Sequence, residues 1–461
     1  METQQLPQQL PQQKSFFSQL NDSIGVKLFL IGVLTLILLI PSSWVQSLIS
    51  ERQQNQDDAT TEIAGKWSGS QLIESPVMQL PLKTLTKVID TAGKVSFREG
   101  LSTVYILPEN LTIKSSVTPE ILHRGIFDAV VYNSKLKIDG NFSPLELRKS
   151  GINPDMILWE KVKIVAGLTD FKGLKNSPNI IIADTNYTAE PDFASENLFE
   201  NSLAVQVNLS GKKSSAIKFS YAFDLRGSGE LNFMHLGRNT TVEVAGTWNN
   251  PSFTGNFLPE KRNITSKEFS GIWKMSNFNR PFPQQWQGNN KVINQENRDK
   301  STFGVKFLLP VDQYQKIMRS AKYAILVILL SFVSLFFIEL LQKTKVSILH
   351  YLLIGAAMSI YYTLLLSFSE QVGFDLAYFI ASLATITLIS TFIGAFLRSR
   401  KLALVFSAIL GIFYSFIYVI IQLQDLALLF GSIGLFIIVA SLMYFSVKIN
   451  WSRPEAQHAI A

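Results

Sequence analysis

The chain has 461 residues, 47% of them hydrophobic, and carries 42 Lys and Arg against 35 Asp and Glu, a formal charge of +7. The lack of any cysteine excludes disulfides, thiolate metal sites and cysteine nucleophiles. No dense basic block is present, which excludes the electrostatic footprint of a nucleic-acid binder.

Residues 1–23 open with the Gln/Pro-rich stretch METQQLPQQLPQQ and read as a cytoplasmic tail without a fold of its own. Residues 24–45 are apolar enough to cross a hydrocarbon core about 30 Å thick. No A-x-A-like cleavage site follows, the chain running Ile40-Pro41-Ser42-Ser43-Trp44 instead. This is the pattern of an uncleaved signal anchor with Trp44 at the interface. Gln53–Thr61 then reads as a short polar connector.

From Glu62 to Asp312 the sequence has strand character. Val104–Leu107, Ala129–Tyr132, Lys135–Ile138, Lys161–Val165, Leu203–Leu209, Ala216–Phe223, Leu231–Leu236 and Thr240–Ala245 are β-branched and aromatic runs separated by Gly, Asn, Asp and Pro. Some alternate, as in Thr240-Thr241-Val242-Glu243-Val244. A β-rich, sandwich-like domain over residues 46–320 is expected, with only Ser143–Gly151 and Asp192–Asn201 helical. The Asn-x-Ser/Thr triplets at Asn110, Asn141, Asn186, Asn208, Asn239 and Asn263 read as chance triplets in a cysteine-free chain. Trp67, Trp248, Trp273 and Trp286 are expected to fill the sandwich core.

Near Val311 the period changes. Val311, Tyr314, Ile317 and Met318 share one helical face that leads straight into a second apolar span. A bundle over residues 321–447 is expected, with spans at 323–341, 351–367, 376–397, 402–421 and 426–447 and a tail at 448–461. A polar hinge, Phe368–Asp375, joins the second and third of these five. The predicted fold class is thus a polytopic α-helical membrane protein. It has six transmembrane helices and a large β-rich extracytoplasmic domain inserted between helix 1 and helix 2. Lys343, Lys345, Arg398, Arg400, Lys401, Lys448 and Arg453 mark the cytoplasmic loops and tail, placing both termini inside and the β domain outside. Lys316, Arg319 and Lys322 stand on the wrong side of that pattern.

Ionisable residues in or beside the spans are the candidate functional groups. Glu339 lies near the end of the second span, where the ordinary reading is a snorkelling carboxylate paired with Lys343 at i+4. Glu370, Asp375 and Asp425 fall in outer loops, where they either solvate the turns or form an acidic mouth. His123-Arg124-Gly125 is the one candidate motif of the β domain for acid–base work. Gly355 with Ser359, Ala377 with Ala381 and Gly411 with Ser415 have helix-packing spacing. No nucleophile-elbow, zincin, Walker or dinucleotide pattern is present. Neither an enzyme nor a cofactor or metal site is expected.

Further residues carry a resemblance. They include Trp67-Ser68-Gly69, Leu107-Pro108-Glu109, His123-Arg124-Gly125-Ile126-Phe127 and Pro251-Ser252-Phe253-Thr254-Gly255-Asn256-Phe257-Leu258-Pro259. Beyond these come Pro310-Val311-Asp312-Gln313-Tyr314, Ser367-Phe368-Ser369-Glu370 and Gln422-Leu423-Gln424-Asp425. Over nearly the whole chain beyond the N-terminal tail, the sequence resembles the bacterial inner membrane CreD family of cell envelope integrity proteins. The resemblance implies an inner-membrane protein tied to envelope integrity, colicin tolerance and the response to β-lactam damage, with no catalytic residues to carry over. The partners then expected are the lipid bilayer and an envelope component or a membrane or periplasmic protein. The competing reading is a transporter or channel-like bundle that uses its carboxylates.

Overall fold

The computed structural model describes residues 24–89, 95–143, 147, 151–193, 198–211, 215–288, 290–309, 313–342, 344–423 and 426–447. Asp425, Lys343, Val311 and both predicted tails lie outside them. The chain divides into two compact units, residues 1–55 with 312–461, and residues 56–311.

The first unit is helical. Helix α1 (Ile24–Ile37) is followed after Leu38 alone by α2 (Leu39–Trp67), whose residues 56–67 belong to the second unit. The interruption has a local cause: Pro41 has no N–H for the carbonyl of Ile37 to accept. The predicted connector Gln53–Thr61 is helical instead, because its Gln, Asp and Ala residues contain no breaker and sit among good helix formers. Polar on every side, it lacked the periodic signal by which helices are recognised. In the second unit α3 (Gln295–Ser301), missed by sequence, is capped by Asn294, whose side chain accepts from the Asn297 N–H. Back in the helical unit come α4 (Gln313–Lys322), α5 (Ala324–Gln342), α6 (Ile348–Val372), α7 (Phe374–Leu397), α8 (Arg400–Gln422) and α9 (Ala427–Val447). Six helices among the described residues are long and apolar enough to cross a membrane, the first being Gly25–Trp67.

Two details differ from expectation. The helix expected to run unbroken from Tyr314 into the second span is two helices, parted at Tyr323. The predicted eight-residue hinge shrinks to Gly373, whose φ of +80° supplies the reversal between α6 and α7. A Cβ on Gly355 would strike Leu38 and come within 2.8 Å of Phe332, so glycine there seats α6 against the first helix and α5. Ala377 and Ala381 are fully buried. A Cβ on Gly411, by contrast, would meet nothing within 4 Å, and Ser415 is exposed. That pair is not a packing face. Gly434 of α9, against the ring of Phe416, is the glycine that serves the purpose.

The second unit is β-rich. Its strands are β1 (Gln71–Ile89), β2 (Val95–Ile106), β3 (Asn110–Arg124), β4 (Phe127–Phe142), β5 (Val162–Leu168), β6 (Asn179–Ile182), β7 (Thr185–Thr188), β8 (Glu190–Asp192) and β9 (Ser202–Val207). They continue as β10 (Ile217–Ser228), β11 (Glu230–Met234), β12 (Asn239–Gly246), β13 (Pro251–Gly255), β14 (Lys261–Ile264), β15 (Phe269–Ser276), β16 (Gln285–Gln287) and β17 (Thr302–Phe307). One sheet has the order β13-β17-β11-β1-β5-β9-β8, with β2 on β1 and β16 on β2; the other runs β14-β15-β12-β3-β4-β10-β6-β7. Pairing is antiparallel except for β1 with β11 and β12 with β3.

Alternation along the strands builds the core. In β3, Leu111, Ile113 and Val117 point inward while Lys114, Ser116 and Thr118 face out. They meet Ile73, Met78 and Leu80 of the other sheet in one buried cluster. Trp273, 1% exposed, and Trp248 lie in that core. Trp286 stacks on Tyr105 at 5.1 Å instead, and Trp67 lies under the Arg226 guanidinium at 4.8 Å. Ala129–Tyr132 and Lys135–Ile138 fuse into the single strand β4. Asp192–Asn201 holds no helix among its described residues, and of Ser143–Gly151 only a fragment is described. Three of the Asn triplets serve the sheet: Asn239 donates to Asn110 at 3.1 Å, and Asn110 to Asn141 at 3.0 Å, an amide ladder across three strands.

Candidate functional site

The most concentrated polar chemistry among the apolar helices surrounds Glu339 on α5. This residue is 8% exposed and does not snorkel. Lys27 of α1, itself buried, forms an ion pair with its Oε1 and donates to the carbonyl of Val346 at 2.6 Å. The Val346 N–H donates back to Oε1 at 3.1 Å, and the Tyr351 hydroxyl of α6 donates to Oε2 at 3.1 Å. Lys27 also lies 5.9 Å from the centre of the Tyr351 ring. Three helices and the segment before α6 therefore converge on one carboxylate, and each of its oxygens has a donor. A lone charge in an apolar helix is costly, and a partner of opposite sign offsets that cost. Two solitary charges in two apolar runs, Lys27 and Glu339, are the signal the sequence carries, and it does not say that they meet.

The candidate loop carboxylates are also engaged. Glu370, at the end of α6, accepts from the Tyr314 hydroxyl at 3.1 Å and lies 3.8 Å from Nε of Arg52. Asp375, in the first turn of α7, accepts from Gln422 at 2.6 Å and Tyr418 at 3.1 Å. Gln422 in turn accepts from Lys316 at 2.9 Å. Both carboxylates are thus tied to α4, Glu370 through Tyr314 and Asp375 through Gln422 and Lys316, but they share no ligand position. Asp425 falls outside the described residues. Two of the three misplaced cations have a task here: Arg319 donates to the carbonyls of Ile420 and Leu423, both at 3.2 Å, and closes the end of α8. Lys316 covers the ring of Phe374 at 5.3 Å.

Between these two ends lies a buried tyrosine layer. Tyr361 is 4.7 Å from Tyr414 and 6.0 Å from Tyr378, and the Tyr378 hydroxyl donates to the Tyr414 carbonyl at 2.7 Å. Sequence reading passed over these residues, because tyrosine in an apolar run carries no sign of what it will face.

In the β-rich unit, His123-Arg124-Gly125 forms the tip of the β3–β4 hairpin, with Gly125 at φ +62°. His123 Nδ1 lies 2.6 Å from Asp128, and Arg124 pairs with Glu62 of α2. The Arg124–Glu62 pair ties the hairpin to the helix. No group of three or more His, Asp or Glu among the described residues is arranged to hold a metal ion.

A family profile described as Inner membrane protein CreD matches residues 23–452. This chain belongs to the CreD family. Inner membrane protein CreD of Escherichia coli (strain K12) is 29% identical over 418 residues, covering 90% of this chain and 91% of that protein. As a CreD-family member the chain is a membrane protein with transmembrane helices, and the match spans both the helical and the β-rich unit.

Proposed function

We propose that this CreD-family chain is a non-enzymatic protein of the cell envelope. Its helices hold it in the inner membrane with both termini cytoplasmic. Its β-rich unit stands in the periplasm and binds an envelope component or a partner protein. The observation that carries this reading is the engagement of every described candidate carboxylate in the helical unit: Glu339 by Lys27 and Tyr351, Glu370 by Tyr314, Asp375 by Gln422 and Tyr418. Such groups cross-brace helices, whereas a pathway needs charges left open to a passing ion. The loop cations support the orientation.

Complementation tests it. A deletion strain with an envelope-stress phenotype receives a variant carrying Lys27→Met with Glu339→Leu, Glu370→Gln, Asp375→Asn and Asp425→Asn. Changing Lys27 with Glu339 avoids stranding one charge. Full rescue by a normally inserted variant is the expected result. Failure despite normal insertion overturns the reading in favour of transport. Orientation is checked separately with single cysteines, which this cysteine-free chain accepts without background. Thr118→Cys should react with an impermeant maleimide in intact spheroplasts.

A further inference from the structure

The β1–β2 hairpin outgrows its sheet. The pairing of β1 with β5 ends at Gln79, and β16 covers only residues 104–106 of β2. Beyond these, residues 83–89 pair with 95–101 as a two-stranded ribbon without a further strand on either edge among the described residues. At about 3.4 Å per residue it projects roughly 20 Å. An isolated two-stranded ribbon is only marginally stable in water, so a covering surface is to be looked for.

The register sorts its residues onto two faces. Lys83 opposes Leu101, Leu85 opposes Glu99 and Lys87 opposes Phe97, with Val95 further out on the same side. Leu101 is 74% exposed, Phe97 66%, Leu85 55% and Val95 46%. The other face pairs Thr84 with Gly100 and Thr86 with Arg98. One face therefore sets Lys83, Lys87 and Glu99 among apolar side chains, and over residues 84–86 and 98–100 the other is polar. Over the ribbon's described length three cations, Lys83, Lys87 and Arg98, stand against one anion, Glu99.

We propose that this ribbon docks, apolar face down, on the anionic headgroup layer of the bilayer that holds the chain. Phe97, Leu85 and Leu101 would enter the acyl boundary, while the lysine stems lie along them and carry their ammonium groups to lipid phosphates. The charge balance selects this occupant. A second copy would bring a ribbon of like charge, whereas an anionic leaflet attracts each lysine. The inference does not depend on which side of the membrane the β-rich unit occupies.

The test uses the full-length chain with one introduced cysteine, Val95→Cys on the apolar face or Thr86→Cys on the polar face, labelled with a polarity-sensitive fluorophore. Single chains are placed in nanodiscs of phosphatidylcholine alone or with a third phosphatidylglycerol. The label at 95 should brighten several-fold and shift to the blue in anionic discs, with the label at 86 unchanged. Lys83→Gln with Lys87→Gln should lower the docking equilibrium roughly 30-fold. Because all these positions are exposed, the substitutions leave the core intact. Equal solvent exposure at 95 and 86 in anionic discs overturns the proposal. So does brightening that appears only when two chains share a disc, which would assign the face to a second copy.

Discussion

Lys27→Met removes one half of the buried pair that binds the first helix to α5. Lys27 loses both its Glu339 contact and its bond to the Val346 carbonyl. Stranding one partner of a buried ion pair costs about 3–5 kcal/mol. The Val346 N–H and the Tyr351 hydroxyl, each 3.1 Å away, still serve the Glu339 carboxylate. These two donors relieve part of the cost, so a loss near the lower end, about 3 kcal/mol, is expected. Glu339→Leu strands the ammonium with only a carbonyl and should cost about 4 kcal/mol. The double variant should return to within about 1 kcal/mol of the parent, since an apolar replacement of a whole buried pair is often neutral. The assay is a double-mutant cycle of the full chain in mixed micelles, unfolded with dodecyl sulfate and followed by far-ultraviolet circular dichroism. Single losses below about 1 kcal/mol that simply add in the double variant would refute the cross-brace.

Other consequences are open to measurement. His235 is held between Thr240 and the Ser276 carbonyl, and burial lowers its pKa from 6.5 to about 4. Between those values the unfolded chain binds more protons than the folded one. Its contribution is therefore complete above pH 6.5 and lost as pH falls toward 4, about 3 kcal/mol in all. Burial pushes Glu74 up to about 7 against the pull of Arg298, which opposes this trend between pH 4.5 and 7. The informative quantity is the stability difference between the parent and His235→Gln: it should shrink by about 3 kcal/mol from pH 7 to 4, and a pH-independent difference would contradict the assignment. Trp273→Ala should destabilise the β-rich unit by about 3–5 kcal/mol in a chemical denaturation series, given its place in the inter-sheet core. Gly355→Val should cost at least ~1–3 kcal/mol by overpacking against Leu38 and Phe332, whereas Gly411→Ala should be neutral or stabilise by up to about 1 kcal/mol. Equal effects at the two glycines would show that neither marks a helix contact.

The apolar helices and the β character of the middle region were legible because both are local. A span needs about 20 successive apolar residues, and a half-buried strand alternates over a few. Gln53–Thr61 escaped for the same reason in reverse, since a helix polar on every side has no period to read. The parallel pairings of β1 with β11 and of β12 with β3 join segments more than 100 residues apart, and no turn between them announces the contact. Lys27 and Glu339 stand 312 positions apart in sequence, and only helix packing brings them together. Arg319 was legible as a misplaced charge, but its task became visible with the carbonyls of Ile420 and Leu423 beside it. Which residues are apolar, charged or flexible belongs to the sequence. Which charges meet, and which apolar faces remain uncovered, was decided by the tertiary structure, because burial and Coulomb attraction depend on distance in space rather than along the chain.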